Sequence, residues 1–473
     1  MKDLIPYFPQ FRSQCAPLGA QAKRAYVAAN SPVGLAVLFA GFFPGLLIPA
    51  QTGAGSRRRQ LPRCEVFWAF LGQVLRRGTS CRWALTRLQA AAVAQGRTAP
   101  HNSTSAYCQA RRALSLSWLQ ALFAALARWF EPRTTGSWYG RTVRIIDGTG
   151  FSMPDTPANH RRWPYGPCQK PGCGFPTGKL VGLFCLHSGR LLSFATGAWK
   201  DHDLPVARRL LCWLHPQDVL VADRAFCGWP LLALLQQQKT DFVIRLHQVR
   251  LVRSRRHRSW WEVWDKPQRR PGFPDRDRLP AELIVRLVRF RVGARGFRTK
   301  SVIVVTSLLD ETAFPDDAIA QLYARRWQVE LHFRQIKTNL SLDILRGLTP
   351  EVIERELWMH AIAFNLVRAL VLEAALTHGL PIDRLSFKGA LDSLLTWADR
   401  ALAVRRHRPR ARLALLARLA ADQVPLRPGR NEPRALKRRG SHYSLLSKPR
   451  HLSPLGDYRK HRYRISSPTI RLS

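Results

Sequence analysis

The sequence predicts an α/β protein in which a mixed sheet is flanked by helices. From residue 142 onward the texture changes to short runs of β-branched and aliphatic residues, and the first three runs predict an antiparallel meander. Later runs alternate with helical segments, which is typical of an α/β core. We therefore expect one core over residues 136–400. Its predicted strands cover residues 142–147, 179–186, 190–195, 218–223, 241–246 and 300–306.

Two further segments flank or interrupt this core. Residues 247–299 alternate polar and apolar side chains and are dense in Arg, Pro and Trp, so they predict a β-rich insertion. Residues 401–473 are strongly basic and rich in Pro, Gly and Ser, which indicates an extended tail suited to phosphate binding.

The N-terminal part of the chain divides into an unassigned segment and a helical domain. Residues 1–60 match no recognised pattern, and their apolar run at 34–50 is interrupted by Pro44. That run is either a membrane helix or a buried hairpin of short helices, and we expect no membrane association. Residues 61–135 show helical periodicity and predict an α-helical DNA-binding domain.

One helix of this domain carries a pair of candidate DNA contacts. A polar cap near residue 102 precedes a helix that carries Arg111 and Arg112. These side chains either lie against DNA phosphates, as in a helix-turn-helix contact, or form a plain solvated basic face.

The composition points to a polyanionic partner. The chain of 473 residues has a formal net charge of +44, with 46% hydrophobic residues and 15 Trp, which excludes a disordered basic tail. Nucleic acid is the natural partner because neutralised phosphates release condensed counterions. Membrane surfaces and acidic proteins remain alternatives.

The cysteines bear on the cellular compartment. There are nine, an odd number without a disulfide-type arrangement, which predicts a cytosolic protein. Cys168 and Cys173 lack a second pair and are separated by Pro171 and Gly172, which argues against a zinc site.

The most informative stretch lies at residues 323–337. If it is one helix, Tyr323, Arg326, Glu330 and Lys337 share an arc about 60° wide, beside an apolar stripe that would anchor the helix to a core. The pattern places a carboxylate, a phenol and two cations on one surface, which favours phosphodiester chemistry. An amphipathic surface helix with accidental spacing is the alternative.

Two aspartates complete a candidate metal site. Asp147 and Asp223 each end a predicted strand, where carboxylates can meet at a sheet edge, and Glu330 can join them from the helix. Three carboxylates suit Mg²⁺ or Mn²⁺, and two such ions serve in-line displacement at phosphorus. Each aspartate alone has a plainer reading, Asp147 as a turn former and Asp223 as a salt-bridge partner of Arg224.

These residues carry a resemblance to a known family. Tyr323, Arg326, Glu330 and Lys337 match the Tyr, Arg, Glu, Lys signature of the DDE transposases of the insertion-sequence-four type without gap or substitution. The words DGTGFSMPDTPAN from Asp147 and VADRAF around Asp223 agree with it. The resemblance covers roughly residues 61–450.

The resemblance implies a ribonuclease-H-like catalytic core in which Asp147, Asp223 and Glu330 bind two Mg²⁺ or Mn²⁺ ions. Tyr323, Arg326 and Lys337 would hold DNA phosphates near the cut. It also implies cut-and-paste transposition, usually through a hairpin intermediate, by a homodimer on paired terminal inverted repeats. Such an enzyme acts on double-stranded DNA in the bacterial cytoplasm, at the nucleoid.

The family's β insertion often carries a tryptophan that stacks on a flipped base, and here Trp260 and Trp261 are equal candidates. Buried sheet tryptophans are the alternative for both. Two other function classes stay open: a catalytically inactive or domesticated DNA-binding relic, and a metal-dependent nuclease or resolvase without strand transfer.

Overall fold

The computed structural model describes residues 33–39, 42, 61–134, 138–166, 172–250, 258–268, 276–291, 301–399 and 408–425. Within that part, contacts divide the chain into two compact units. The helical unit combines the residues up to 133 with residues 358–425, and the sheet unit comprises residues 134–357.

The α-helices and strands follow in chain order. The helices are α1 Val33–Phe39, α2 Arg63–Leu75, α3 Cys81–Ala94, α4 Thr104–Arg112, α5 Leu116–Phe130, α6 Pro157–Arg162, α7 Asp203–Arg208, α8 Trp229–Gln237, α9 Asp316–Ala324, α10 Trp327–Arg334, α11 Pro350–Thr377, α12 Phe387–Asp399 and α13 Arg408–Ala421. The strands are β1 Val143–Ser152, β2 Thr177–Cys185, β3 Leu191–Ala198, β4 Val219–Ala222, β5 Asp241–Arg245, β6 Ser259–Asp265, β7 Glu282–Arg291 and β8 Ser301–Thr306.

A single eight-stranded mixed sheet, in the order β3-β2-β1-β4-β5-β8-β7-β6, organises the sheet unit. Strands β1, β2 and β3 form the expected antiparallel meander, whereas β4 pairs in parallel with both β1 and β5. All four residues of β4 are buried, as a short central strand covered on both faces requires. The predicted α/β class is confirmed.

The insertion is part of this sheet rather than a layer of its own. Strands β6 and β7 pair with each other, and β7 pairs with β8, so the β-rich segment extends the sheet by two strands. Trp260 and Trp264 of β6 are buried in the same hydrophobic cluster as Ile146 of β1. The predicted insertion at 247–299 therefore shares the core that it was expected only to interrupt.

The helical unit extends further along the chain than the sequence indicates. Residues 358–399, predicted within the core, cluster with the N-terminal helices. The packing gives the reason: the rings of Trp358 and Phe123 meet edge-on with centroids 5.3 Å apart, and Arg87 Nη2 lies 2.7 Å from Asp399 Oδ1. Arg76 also pairs with Asp399. An ion pair and apolar burial thus bind α11 and α12 to the early helices.

The structure describes parts of the N-terminal apolar run and of the C-terminal basic tail. Residues 33–39 form the short helix α1, and Leu35, Leu38 and Phe39 are buried, in keeping with a buried helix rather than an exposed one. Helix α13 lies within the predicted basic tail, and the buried Leu415 and Leu419 show that this part of it is packed. The rest of 1–60, residues 401–407 and residues 426–473 lie outside the described residues.

In the described part of the chain, helix α11 is long and apolar enough to cross a membrane, and 89% of its apolar window is buried inside the protein. Two shorter helices, α4 and α5, pass the same test only as a pair bent by 69°. Burial of this extent is what a core helix of a folded protein shows.

Candidate active site

The sheet itself brings Asp147 and Asp223 side by side. Strands β1 and β4 are parallel neighbours, with Ile146 opposite Ala222 at the end of their pairing. Asp147 is the next residue of β1, which continues to Ser152 and does not end at Asp147 as predicted, and Asp223 directly follows β4, so the register sets the two carboxylates side by side. The amide of Gly148 donates to Asp147 Oδ1 at 2.8 Å, and the amide of Ala225 donates to Asp223 Oδ1 at 2.8 Å.

The segment that carries Tyr323 and Glu330 is not the single helix that its spacing predicts. Helix α9 ends at Ala324 and α10 begins at Trp327, with Arg325 and Arg326 in a turn between them. The amide of Arg326 donates to the carbonyl of Tyr323 at 3.0 Å, a three-residue spacing that tightens the chain at this point. The expected arc of four residues on one straight helix is therefore wrong.

Helix α10 is anchored on the sheet by its apolar side. Val329 and Phe333 are buried, and the ring of Phe333 meets that of Phe184 on β2 edge-on at 5.3 Å. Phe184 pairs with Ile145, which shares the face of β1 with Asp147 because side chains alternate along a strand. Helix α10 consequently covers the face on which Asp147 lies.

Arg326 joins the sheet to this helix. Its Nη1 lies 3.5 Å from Asp147 Oδ2, and its Nη2 donates to Glu330 Oε1 at 3.0 Å. The Arg326 side chain is only 10% exposed, whereas that of Glu330 is 44% exposed. A buried cation thus bridges two of the three carboxylates, and Tyr323 lies beside it with the guanidinium 6.0 Å from the ring centroid.

The charges of Asp223 and Glu330 act on Asp147, so the three carboxylates form one electrostatic cluster. The pKa of Asp147 is raised from 3.8 to about 6, chiefly by burial, and the charges of Asp223 and Glu330 raise it further. The amide of Gly148 and the charge of Arg326 act in the opposite direction. A carboxylate whose pKa is raised by two neighbouring acids is typical of a functional cluster.

The donor chemistry of this cluster fits a divalent metal, although a ready-made site is not present. Among the described residues, no three His, Cys, Asp or Glu side chains lie in a metal-ligand arrangement. Arg326 supplies the positive charge between Asp147 and Glu330 instead. Three hard carboxylates that repel one another, one of them half exposed, are the ligand type that Mg²⁺ and Mn²⁺ prefer.

Two family models match the chain. The model described as transposase DDE domain matches residues 138–366, and the model described as insertion element 4 transposase N-terminal matches residues 47–124. Transposase InsG for insertion sequence element IS4 of Escherichia coli K12 is 27% identical over 330 residues, which is 67% of this chain and 72% of that protein. The transposase for insertion sequence element IS421 of Escherichia coli is 33% identical over 275 residues, 50% of this chain and 67% of that protein.

The chain belongs to the DDE transposases of the IS4 type. The mixed sheet with its flanking helices is the α/β fold class that was expected, and the transposase DDE domain model matches all of this sheet. The chain can be superposed on a cryo-EM structure of a piggyBac transposase synaptic complex with hairpin DNA. The superposition includes 87% of this chain and 86% of the piggyBac chain, at 11% identity and a TM-score of 0.42.

Lys337 stands apart from the carboxylates of this transposase. It lies in a π-helical turn, Gln335–Asn339, that follows α10 and shifts the side-chain directions away from those of a straight α-helix. The side chain is half-buried, and it forms no ion pair with Asp147, Asp223 or Glu330, all of which are described. Its contact with DNA stays a prediction.

The two tryptophan candidates of the transposase separate clearly. Trp260 is 6% exposed, and its Nε1 donates to Glu262 Oε1 at 2.9 Å, so it is a core residue and cannot offer its ring to a base. Trp261 is 54% exposed on the opposite face of β6, with Nε1 donating to the carbonyl of Leu309 at 3.3 Å. The alternation of a strand therefore leaves Trp261 as the candidate.

The two arginine candidates of the helical unit separate in the same way. Arg111 is 8% exposed, with its guanidinium 4.6 Å from the ring centroid of Phe70 and Nη1 donating to Gln73 Oε1 at 3.3 Å. Such a residue stabilises the packing of α4 on α2 and is not available to DNA. Arg112 is exposed and remains the candidate.

Sequence reasoning missed Trp327, which directly follows Arg326. Its ring is 50% exposed and lies 5.4 Å from the guanidinium carbon of Arg326, so it flanks the bridging cation on the solvent side. The signal was its position inside the Tyr, Arg, Glu, Lys signature, directly after Arg326.

Proposed function

We propose that this transposase catalyses cut-and-paste DNA transposition by phosphodiester hydrolysis and strand transfer. The observation that carries the proposal is the convergence of Asp147, Asp223 and Glu330 around Arg326, where the charges of Asp223 and Glu330 help to raise the pKa of Asp147. In the first reaction water attacks phosphorus and the bond to the 3′ oxygen breaks, which leaves a 3′-hydroxyl. In the second that hydroxyl attacks phosphorus in a phosphodiester of the target, and the bond from this phosphorus to the target's 3′ oxygen breaks, which leaves a 3′-hydroxyl on the target.

Asp147, Asp223 and Glu330 would hold two Mg²⁺ or Mn²⁺ ions, which supply Lewis-acid stabilisation of the attacking and leaving oxygens. The chain's own groups have separate tasks. Arg326 and Tyr323 place a buried cation and a phenol next to the carboxylates, where donors favour the approach of a charged phosphate. The raised pKa of Tyr323, caused mainly by burial, keeps its phenol protonated and able to donate.

The finer steps rest on the family. These steps are a hairpin intermediate, a homodimer on paired terminal inverted repeats, and action at the nucleoid in the bacterial cytoplasm. The exposed Trp261 fits a hairpin intermediate, and the formal charge of +44 fits an enzyme that acts on DNA. Trp261 would stack on a flipped base beside the cut. Arg112 and Lys337 would bind backbone phosphates.

The test uses duplex DNA that carries the element's own ends, with Mg²⁺ or Mn²⁺, and follows strand cleavage and joined product separately. Replacement Asp223→Asn should reduce cleavage by about 100-fold or more, because loss of even an outer-shell partner of a metal ligand costs about 10- to 100-fold. Asp277→Asn, at an exposed position of the same unit, removes one carboxylate charge as a matched control and should cleave normally.

Three outcomes contradict the proposal in different ways. Wild-type cleavage by Asp223→Asn removes the catalytic assignment. Tight DNA binding with no scission by the native chain identifies a binding relic. Cleavage without joined product identifies a nuclease or resolvase.

A further inference from the structure

A cationic pocket lies in the sheet unit, away from the three carboxylates. It is an open cavity of about 460 Å³ whose lining includes Arg162, Lys200, His202 and Arg209. These side chains come from three separate segments: the last residue of α6, the turn after β3, and the residue that follows α7. The fold therefore gathers cations that are far apart in sequence.

The one acidic residue of the lining does not neutralise the pocket. Asp201 Oδ2 accepts a hydrogen bond from the amide of Ala198 at 2.7 Å and so closes the turn after β3. Three permanent cations face this single carboxylate, and the imidazole of His202 adds a further donor. Arg209 also donates to the carbonyl of Thr196, which fixes its position at the rim.

Gly197 leaves the floor of the pocket open. A Cβ added there would come within 2.8 Å of Val206 Cγ2 and 2.9 Å of Asp201 Oδ2, closer than real Cβ contacts. A larger residue at this position would push either the turn or α7 outward. Glycine thus keeps the cations and the backbone in their present arrangement.

The pocket belongs to the face of the sheet opposite to Asp147. Gly148 follows Asp147 in β1 and so points the other way, and a Cβ there would lie 3.3 Å from Asp203 Oδ1 at the start of α7. Val206 of α7 lines the pocket and belongs to the same buried cluster as Ile146, which shares the Gly148 face. A phosphate held by these cations cannot be the one that the carboxylates act on.

We propose that the cationic pocket binds a backbone phosphate of duplex DNA on the face of the sheet opposite to the three carboxylates. The proposal rests on the proposed function only in that the transposase binds DNA. Arg162 and Lys200 are exposed and hydrated, which suits a phosphate presented by a polymer passing over the surface rather than a small ligand enclosed in a cavity. Arginine and lysine together recognise phosphate by a planar fork and a point charge.

The experiment measures binding of the full chain to a random-sequence duplex of about 40 base pairs over a range of salt, without divalent metal so that no cleavage contributes. The variant Arg162→Ala with Lys200→Ala should bind roughly 10-fold more weakly at low salt, and its plot of log affinity against log salt should be shallower by roughly one to two. The matched control, Lys239→Ala with Arg278→Ala, removes the same charge from exposed positions of the sheet unit and should change binding much less.

Thermal unfolding of both variants shows that they are folded, since the replaced side chains are exposed. The proposal is overturned if the pocket variant binds like the native chain, or if the control variant loses as much affinity. It is also overturned if inorganic phosphate binds tightly to the native chain while the pocket variant keeps normal DNA binding, since the pocket then serves a small anion. Because no cleavage is measured, this result and the Asp223→Asn result can fail independently.

Discussion

Arg326 Nη1 lies 3.5 Å from Asp147 Oδ2, an ion pair that joins the turn between α9 and α10 to strand β1. The same guanidinium holds Glu330, so a single side chain fixes the spacing between a carboxylate on the sheet and one on a helix. In the protein without metal, this residue keeps two acids together that would otherwise repel each other.

Replacement Arg326→Gln should lower the rate of end cleavage at saturating DNA by about 10- to 100-fold, because the two carboxylates lose their shared cation. Arg326→Lys keeps the positive charge but loses the forked guanidinium, so its cleavage rate should lie between those of the native chain and of Arg326→Gln. Single-turnover kinetics measures this. A glutamine variant as fast as the native chain would show that Arg326 only ties the fold together.

Replacement Asp147→Asn should make the metal-free protein more stable while it abolishes cleavage. The pKa of Asp147 rises from 3.8 to about 6 on folding, so ionised Asp147 opposes folding. A shift of about two units corresponds to an upper limit of about 3 kcal/mol at neutral pH and above. Urea unfolding at pH 8 measures the difference in free energy of unfolding.

The pH dependence of this difference has a definite sign. The folded state binds the Asp147 proton more tightly than the unfolded state, so the cost of the charge is complete above pH 6. It declines as the pH falls from about 6 towards 3.8 and is absent below that range. The advantage of Asp147→Asn should therefore shrink between pH 6 and pH 4, and an advantage that grows with acid would contradict the assignment.

Arg286 is a fully buried arginine that secures the start of α9. Its Nη2 donates to Asp316 Oδ1 at 2.5 Å, and its Nη1 donates to the carbonyl of Phe314 at 2.9 Å. Arg286→Met should destabilise the sheet unit by about 3–5 kcal/mol, because it removes the buried cation paired with Asp316 and leaves the carbonyl of Phe314 without its donor. The double variant with Asp316→Asn should recover part of that loss in urea unfolding, whereas additive losses would show that the pair is not coupled.

Trp260 and Trp261 of β6 should respond oppositely to replacement. Trp260→Ala removes a buried ring and should cost about 3–5 kcal/mol of stability. Trp261→Ala should leave the unfolding temperature nearly unchanged yet weaken binding to the DNA end by about 1–3 kcal/mol, the worth of one stacked base. Equal effects of the two replacements on stability would rule out the separation of roles.

The sequence alone predicts the parts of this site that depend on local pattern. The strands that lead to Asp147 and Asp223 follow from their apolar runs, although β1 continues past Asp147 to Ser152, and the parallel register of β1 and β4 sets the two aspartates side by side. The break before Trp327 was not predictable from periodicity, since residues 323–337 contain neither Pro nor Gly to signal it. Nor could alternation alone show which face of β6 is buried, and this decides between Trp260 and Trp261.

Long-range packing explains why residues 358–399 belong to the helical unit and not to the predicted core. Residues 358–399 were predicted within the core because no linker signal separates them from it, so no local feature assigns them to the helical unit. Their position depends on partners hundreds of residues away, such as Asp399 with Arg87, and a single sequence does not reveal such pairs.

The continuous hydrogen-bond ladder β5-β8-β7-β6 limits how this enzyme could change during evolution. Strand β8 receives hydrogen bonds on both sides, from β5 and from β7. A deletion that removed the β6–β7 pair would leave one side of β8 without hydrogen-bond partners. That exposed edge could pair with other chains. The β6–β7 pair therefore cannot be deleted as an independent module. Chains shortened in this way would be prone to aggregate.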